Sequence, residues 1–244
     1  MRTIDASGLH YRELNQRVRE AVAEGETELS LVNVRGHRYI ADGVSGKATL
    51  AVHGVPGNDL GAFMNGPTVV VHGNAQDACG NTMNDGKIVV HGHAGDVLGY
   101  GMRGGKLHIL GDVGYRVGIH MKAYKKQAPV IVIGGTARDF LGEYMAGGVM
   151  VVLGLERNGT GVAGDYFGSG MHGGVIFVRG EVEPHKLGRE VARAEVTDGD
   201  KAQLRALVEE FCADFGLSAD EVLSVPFAKY VPLSARPYGN LYAY

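Results

Sequence analysis

Residues 73–91 read GNAQDACGNTMNDGKIVVH, residues 92–110 read GHAGDVLGYGMRGGKLHIL, and residues 135–153 read GTARDFLGEYMAGGVMVVL. Laid over one another, these stretches and their fainter copies cover residues 43–180 and put Gly61, Gly80, Gly99, Gly118, Gly142 and Gly168 in one column. Met64, Met83, Met102, Met121, Met145 and Met171 fill a second. The early steps are 19 residues; the later ones, 24 and 26, differ only by the insertions KAYKKQ (122–127) and ERNGTGVA (156–163). A fixed period of this size signals one supersecondary unit stacked on copies of itself.

Each clear copy holds one strand bounded by glycine or proline, as in Val69 to His72, Ile88 to His91, Leu107 to Leu110, Met150 to Leu153 and Ile176 to Arg179. Nothing between the strands has helical periodicity, and 19 residues is too short for a strand, a crossover helix and turns. One lap of a coil fits, with its strand paired to the laps above and below. The expected fold is therefore all-β, a parallel β-helix of about seven turns and on the order of 30 Å long. A left-handed hexapeptide coil needs a period divisible by six, which 19 is not, so the right-handed form is expected.

Strand side chains alternate between faces, so two columns share the bore: Leu50, Val69, Ile88, Leu107, Ile131, Met150 and Ile176, then Val52, Val71, Val90, Ile109, Ile133, Val152 and Val178. The methionine column is expected at a corner, where a flexible side chain fills uneven space. The column between the two bore columns faces outward yet is mostly apolar: Ala51, Val70, Val89, His108, Val132, Val151 and Phe177. Such a stripe is too large to leave wet on a monomer. Either the terminal helices of the chain cover it or another subunit does. Val70, Val89, His108, Val132, Val151 and Phe177, with Tyr124, Lys125 and Lys126 of the first insertion, are thus the candidate partner interface, and whether the isolated chain forms a homo-oligomer through the stripe is left open by the sequence.

The flanks differ from the coil. Residues 1–42 form a leader, with a helix over roughly 8–24 capped by Asp5 or Ser7 and a strand at Leu29–Val34, expected to close the open end of the coil. Residues 181–244 hold a mixed linker, a helix opened by Asp198 or Asp200 and stopped by Gly216, a short turn of helix begun by Ser218, and an aromatic tail carrying Phe227, Tyr230, Tyr238, Tyr242 and Tyr244. The tail either lies over the coil or docks on a partner. All three segments are expected to make one folded unit.

Composition narrows function. At 244 residues, 45% apolar and 21% charged, the chain has the balance of a soluble domain, and its 39 glycines belong to the coil turns. A net charge of −3 with mixed signs argues against a nucleic-acid binder. No signal peptide or membrane-spanning run is evident, which points to the cytoplasm. Cys79 and Cys212 are too far apart in sequence to make a metal knuckle or a disulfide framework and read as small buried side chains.

Several constellations invite chemistry. His53, His72 and His91 stand one period apart on the outward face, but a ladder sets rings side by side and does not converge them on a metal. Asn58, Asp77, Asp96, Tyr115, Asp139 and Asp165 each precede a column glycine by three residues. Calcium is the sharper reading of that column, and carboxylates accepting backbone N–H bonds at the turns the favoured one. Gly99-Tyr100-Gly101 begins a dinucleotide fingerprint, but a strand follows where the fingerprint needs a helix. Ser169 with His172 is the nearest approach to a hydrolase pair, and it sits in a repeat turn. No catalytic, cofactor-binding or metal-binding residue is assigned.

The ordered repeats resemble the GXGXG domain, the C-terminal β-helix of the glutamate synthase large subunit, over roughly residues 36–180. The resemblance rests on Gly43-Val44-Ser45-Gly46, Gly57-Asn58-Asp59-Leu60-Gly61-Ala62-Phe63, Asp85-Gly86-Lys87-Ile88-Val89-Val90, and above all Gly142-Glu143-Tyr144-Met145-Ala146-Gly147-Gly148 with Gly170-Met171-His172-Gly173-Gly174. It implies a β-helix without catalytic residues that braces other domains, with the glutaminase cysteine, the FMN and the iron–sulfur cluster all carried elsewhere. As a free-standing subunit it implies a class II glutamine amidotransferase subunit and an FMN-binding glutamate synthase-like subunit as partners, including the N-methylglutamate synthase type. The structural subunit of formylmethanofuran dehydrogenase has a related repeat, and a formylmethanofuran dehydrogenase or formyltransferase-type complex is the alternative. A β-helix hydrolase is the second alternative.

Overall fold

Each strand of the repeat lies beside its copy one lap away. The computed structural model describes residues 1–125, 127–156 and 161–234. Its strands β1 (Arg2–Asp5), β2 (Glu28–Arg35), β3 (Thr49–Val55), β4 (Asn65–His72), β5 (Asp85–Val90), β6 (Lys106–Ile109), β7 (Val130–Ile133), β8 (Ala146–Val152) and β9 (Gly173–Arg179) pair in parallel in chain order. The register is that of the columns: Leu50 faces Val69, Val69 faces Ile88, Ile88 faces Leu107, Leu107 faces Ile131, Ile131 faces Met150 and Met150 faces Ile176. Both bore columns are fully buried, and so is the methionine column, which packs inside the corner. The coil is a parallel β-solenoid of about six turns, where about seven were expected.

The corner opposite the strands explains the glycine column. Each lap passes through left-handed backbone at every second residue, as at Phe140, Gly142 and Tyr144 (φ 64°, 72° and 53°). Alternating hands point successive N–H groups to opposite laps. Phe140 and Tyr144 donate forward to the carbonyls of Asp165 and Ser169, while Gly142 donates back to that of Val117, all at 2.8–2.9 Å. Backbone groups that would be orphaned at a sharp bend are thereby paired. The central position faces the bore: at Gly80 (φ 72°) a methyl group would come 2.8 Å from Leu107 Cδ1, so only glycine fits.

Both ends are closed. Helix α1 (Tyr11–Ala23) lays Leu14, Val18 and Ala21 against Ile4, Leu29 and Leu31 at the mouth of the bore. Its N-cap is His10, not Asp5 or Ser7; Asp5 instead accepts from Ser7 N and Asn33 Nδ2, both at 2.9 Å. The strand expected as part of a cap is β2, and it continues the coil, with Leu29 and Leu31 in register on Leu50 and Val52. At the other end β10 (Val191–Ala194) and β11 (Phe227–Pro232) add antiparallel strands, β11 on β9 and β10 on β11. Tyr230 plugs the bore against Phe167 (ring centroids 5.0 Å apart), and its hydroxyl accepts from Val182 N at 2.8 Å. Phe227 and Tyr230 thus lie on the coil itself; Tyr238, Tyr242 and Tyr244 lie outside the described residues.

Two helices separate β10 from β11. Helix α2 (Asp198–Phe215) opens on a capping box between Thr197 and Asp200 and stops at Gly216 (φ 67°). Helix α3 (Ala219–Leu223) is capped by Ser218, whose hydroxyl accepts from Glu221 N.

Candidate functional site

The outward face of the sheet is where the chain can meet something else, and α2 decides how much of it is free. The first turn of α2 is tied to β11 by Asp200 and Lys229 (2.8 Å), and its last turn reaches β5 through Asp214 and Lys87 (2.7 Å). Leu204, Val208, Phe211 and Cys212 press on Val132, Val151 and Phe177, which are completely buried. Val89 and His108 are buried near the C-terminal end of the helix, and Val70 is half-buried. The stripe read as a partner interface is therefore largely sealed from within at Val89, His108, Val132, Val151 and Phe177. An amphipathic helix tethered a short linker away acts at high effective concentration and fills such a face first. Of the insertion, Tyr124 is 50% exposed beneath the Lys125 ammonium, 5.1 Å from its ring centre, while Lys126 lies outside the described residues.

Ion pairs pin α2 from the side. Lys87 lies 3.2 Å from Glu210, Lys106 lies 2.5 Å from Glu210, and the His108 Nδ1–H donates to Asp214 at 2.5 Å. Burial works to raise the carboxyls of Asp214 and Glu210, but bonds from His108 and Lys87 to the first, and from Lys106 and Lys87 to the second, together hold both below the ordinary carboxylate range. Burial depresses His108 and outweighs its bond to Asp214, so the ring is neutral and its Nε2 is a buried acceptor without a partner among the described residues. A His–Asp pair is a familiar catalytic device. Here the ring is completely buried and packs on Phe211 at 5.6 Å, so no substrate reaches it.

Other singled-out groups resolve the same way. His53, His72 and His91 stack at 4.8 and 5.2 Å, and His91 meets the edge of Phe215 at 5.1 Å. Among the described residues no group of three or more His, Cys, Asp or Glu side chains has a metal-holding arrangement. The carboxylate column caps the following lap: Asp77 accepts from Asp96 N, Asp96 from Tyr115 N and Asp139 from Asp165 N, each at 2.9 Å. Gly114 leaves room for this, since a methyl group there would run into Asp96 Oδ1. The Nδ1–H of His172 donates to the Gly170 carbonyl at 3.1 Å, within its own turn. Burial pushes the Cys79 thiol up to about 12 and raises that of Cys212, leaving neither a ready thiolate.

One feature escaped the sequence. The left-handed positions flanking the glycine column carry Phe63, Tyr144 and Tyr166, which are 53%, 49% and 57% exposed. Tyr144 stacks on His120 at 5.3 Å, and Phe140 stacks between Tyr166 at 4.7 Å and the Arg116 guanidinium at 4.2 Å. Only the period, which sets these residues in line with glycines, could have signalled it.

Comparison with known proteins agrees with this architecture. The family model described as the GXGXG motif matches residues 13–233. The uncharacterized protein MJ1350 of Methanocaldococcus jannaschii is 49% identical over 248 residues, covering 98% of this chain and 95% of its own length. Among solved structures, a chain in the crystal structure of the formyltransferase/hydrolase complex FhcABCD from Methylorubrum extorquens, determined with methylofuran, superposes with a TM-score of 0.64. That match covers 91% of this chain and 88% of the other at 19% identity, a likeness of fold. No helix among the described residues is long and apolar enough to cross a membrane.

Proposed function

Because the chain belongs to the GXGXG family, we propose that it is the non-catalytic scaffold subunit of a glutamate synthase-like complex, including the N-methylglutamate synthase type. In this assignment it holds a class II glutamine amidotransferase subunit against an FMN-binding synthase subunit, and the FMN and iron–sulfur cluster stay on those partners. The family match carries the proposal: coil and closing helices account for residues 13–233, and their bore is filled by side chains. The chemistry of the described residues supports it. Thiols are buried and protonated, the His108–Asp214 pair is sealed under α2, and the acidic column is engaged by backbone N–H groups.

The fold likeness to a chain of FhcABCD favours a second assignment, the structural subunit of a formyltransferase-type complex. Reconstitution separates the two. The purified chain should release neither ammonia nor glutamate from glutamine, and adding it to the glutaminase and flavin subunits should raise glutamine-dependent glutamate formation. Release by the chain alone would overturn both assignments. Stimulation of formyl transfer, and not of glutamate formation, would select the second.

A further inference from the structure

Past β11 the chain leaves the coil beside an exposed aromatic corner. Leu233 N donates to the Glu190 carbonyl at 2.8 Å, the Glu190 carboxylate accepts from Gly170 N at 2.9 Å, and the Tyr144 ring lies directly over Gly170. From that point two rows run back along the coil. One is Tyr144, His120 and Tyr100, in ring contact at 5.3 and 5.9 Å; the other is Tyr166, Phe140 and Arg116. Tyr100, His120, Tyr144 and Tyr166 are exposed, and so is Leu233. Arg116 is paired with Glu143 at 3.4 Å, so the rows present rings and little charge. At their near end an open cavity of about 370 Å³ is lined by Tyr166, His185, Leu187, Arg189, Asp165 and Glu190. Its two carboxylates face the one guanidinium of Arg189, and neither is in an ion pair among the described residues.

Size and position decide what fits there. Three laps about 4.8 Å apart, each crossed by about five corner residues, make an area on the order of 200 Å². A stable interface between separate proteins takes about 800 Å² from each side, so a second chain seated here alone would not hold. A segment tethered at the edge of the patch needs far less, because its effective concentration is on the order of millimolar. Residues 235–244, ARPYGNLYAY, begin two positions after Leu233 and lie outside the described residues. Fully extended, such a segment reaches up to about 33 Å, while the rows are about 14 Å long. It offers Tyr238, Tyr242 and Tyr244, contains no acidic residue, and carries one cation, Arg236, close to the exit. Tyrosine supplies large contact area at low cost in rotamer entropy, and Pro237 lowers the cost of ordering the backbone. We infer that the aromatic corner is the seat of residues 235–244 of the same chain, with Arg236 at the carboxylates of the cavity and the tyrosines on the two rows. The inference stands apart from the scaffold assignment, since it needs no partner.

Tetranitromethane nitration of Tyr144 and Tyr166 in the full-length chain, read by mass spectrometry, tests this. The triple substitution Tyr238→Ser, Tyr242→Ser and Tyr244→Ser should raise the nitration of both at least fivefold, and the protection in the unaltered chain should be the same in dilute and concentrated samples. A second variant, His120→Cys with Tyr242→Cys, should form a disulfide within one chain on oxidation; Cys79 and Cys212 are buried and do not compete. Equal nitration in the unaltered and triply substituted chains overturns the inference. Protection that fades on dilution, with a disulfide joining two chains, overturns it in favour of a second copy. Protection that appears only when the glutaminase and flavin subunits are added overturns it in favour of a partner. In each case the scaffold assignment is decided separately, by reconstitution.

Discussion

The two halves of the outward sheet face are built from one repeat and finished differently. In the column that reads Thr49, Thr68, Lys87, Lys106, Val130 and Val149, the residue type changes at β5, and that is where α2 begins to cover the sheet. Toward β9 the helix meets valines that it buries. Toward β5 it meets lysines that it neutralises, and beyond them are threonines and exposed histidines. The repeat therefore fixes how laps stack, while the outward residues of each lap decide what may lie on them.

Substitutions should separate the halves by size of effect. The largest loss is expected at Phe211, buried between α2 and β7: Phe211→Ala should cost about 3–5 kcal/mol in urea unfolding. A loss below about 1 kcal/mol would mean that α2 is not docked as described. Next comes Asp214→Ala, which takes the carboxylate from the buried His108 ring and leaves Lys87 paired with Glu210 alone; it should cost about 1–3 kcal/mol. Removing Glu13 from its exposed pair with Arg17 should cost no more than about 0.5 kcal/mol.

A change of pH probes the covered half without substitution. His108 is depressed below the ordinary 6.5, chiefly by burial. Unfolding then takes up protons between the depressed and ordinary values, so stability is greatest above pH 6.5 and falls as pH drops through that window. The melting temperature should decline from pH 7.5 to 5.5, and His108→Gln should flatten the slope; an unchanged slope would show that His108 does not titrate with unfolding. Asp214 and Glu210 act in another range. Their stabilisation is present above their ordinary values of 3.8 and 4.5 and is lost as pH falls further, so the helix pins should hold to about pH 4. The smallest effect belongs to the open half, where His53→Ala should change stability by no more than about 0.5 kcal/mol. A loss of several kcal/mol there would show that something in the chain already covers it.

The coil was legible because its register is written in its period: once Leu50, Val69 and Ile88 share a column, the pairing of β3, β4 and β5 follows. The caps were less so. The four residues of β1 carry no pattern of their own and form a strand only because β2 offers an edge. β10 and β11 sit in a linker and a tail with weak alternation and are ordered by the end of β9. Whether a helix or a partner covers the valine stripe was left open by the stripe itself. A signal was present in Glu210 and Asp214, one helical turn apart, and in Lys87 and Lys106, one lap apart, but it pairs residues more than a hundred positions distant. The aromatics at left-handed positions run against local preference, which favours glycine or asparagine there, so propensity pointed away from them.

What the chain does for its partners is the most direct test of a scaffold. Glutamine-dependent glutamate formation by the glutaminase and flavin subunits should be measured as the purified chain is titrated in. Activity should rise and saturate at one chain per pair of subunits, with no turnover by the chain itself. Full activity without the chain, or ammonia released from glutamine by the chain alone, would contradict it.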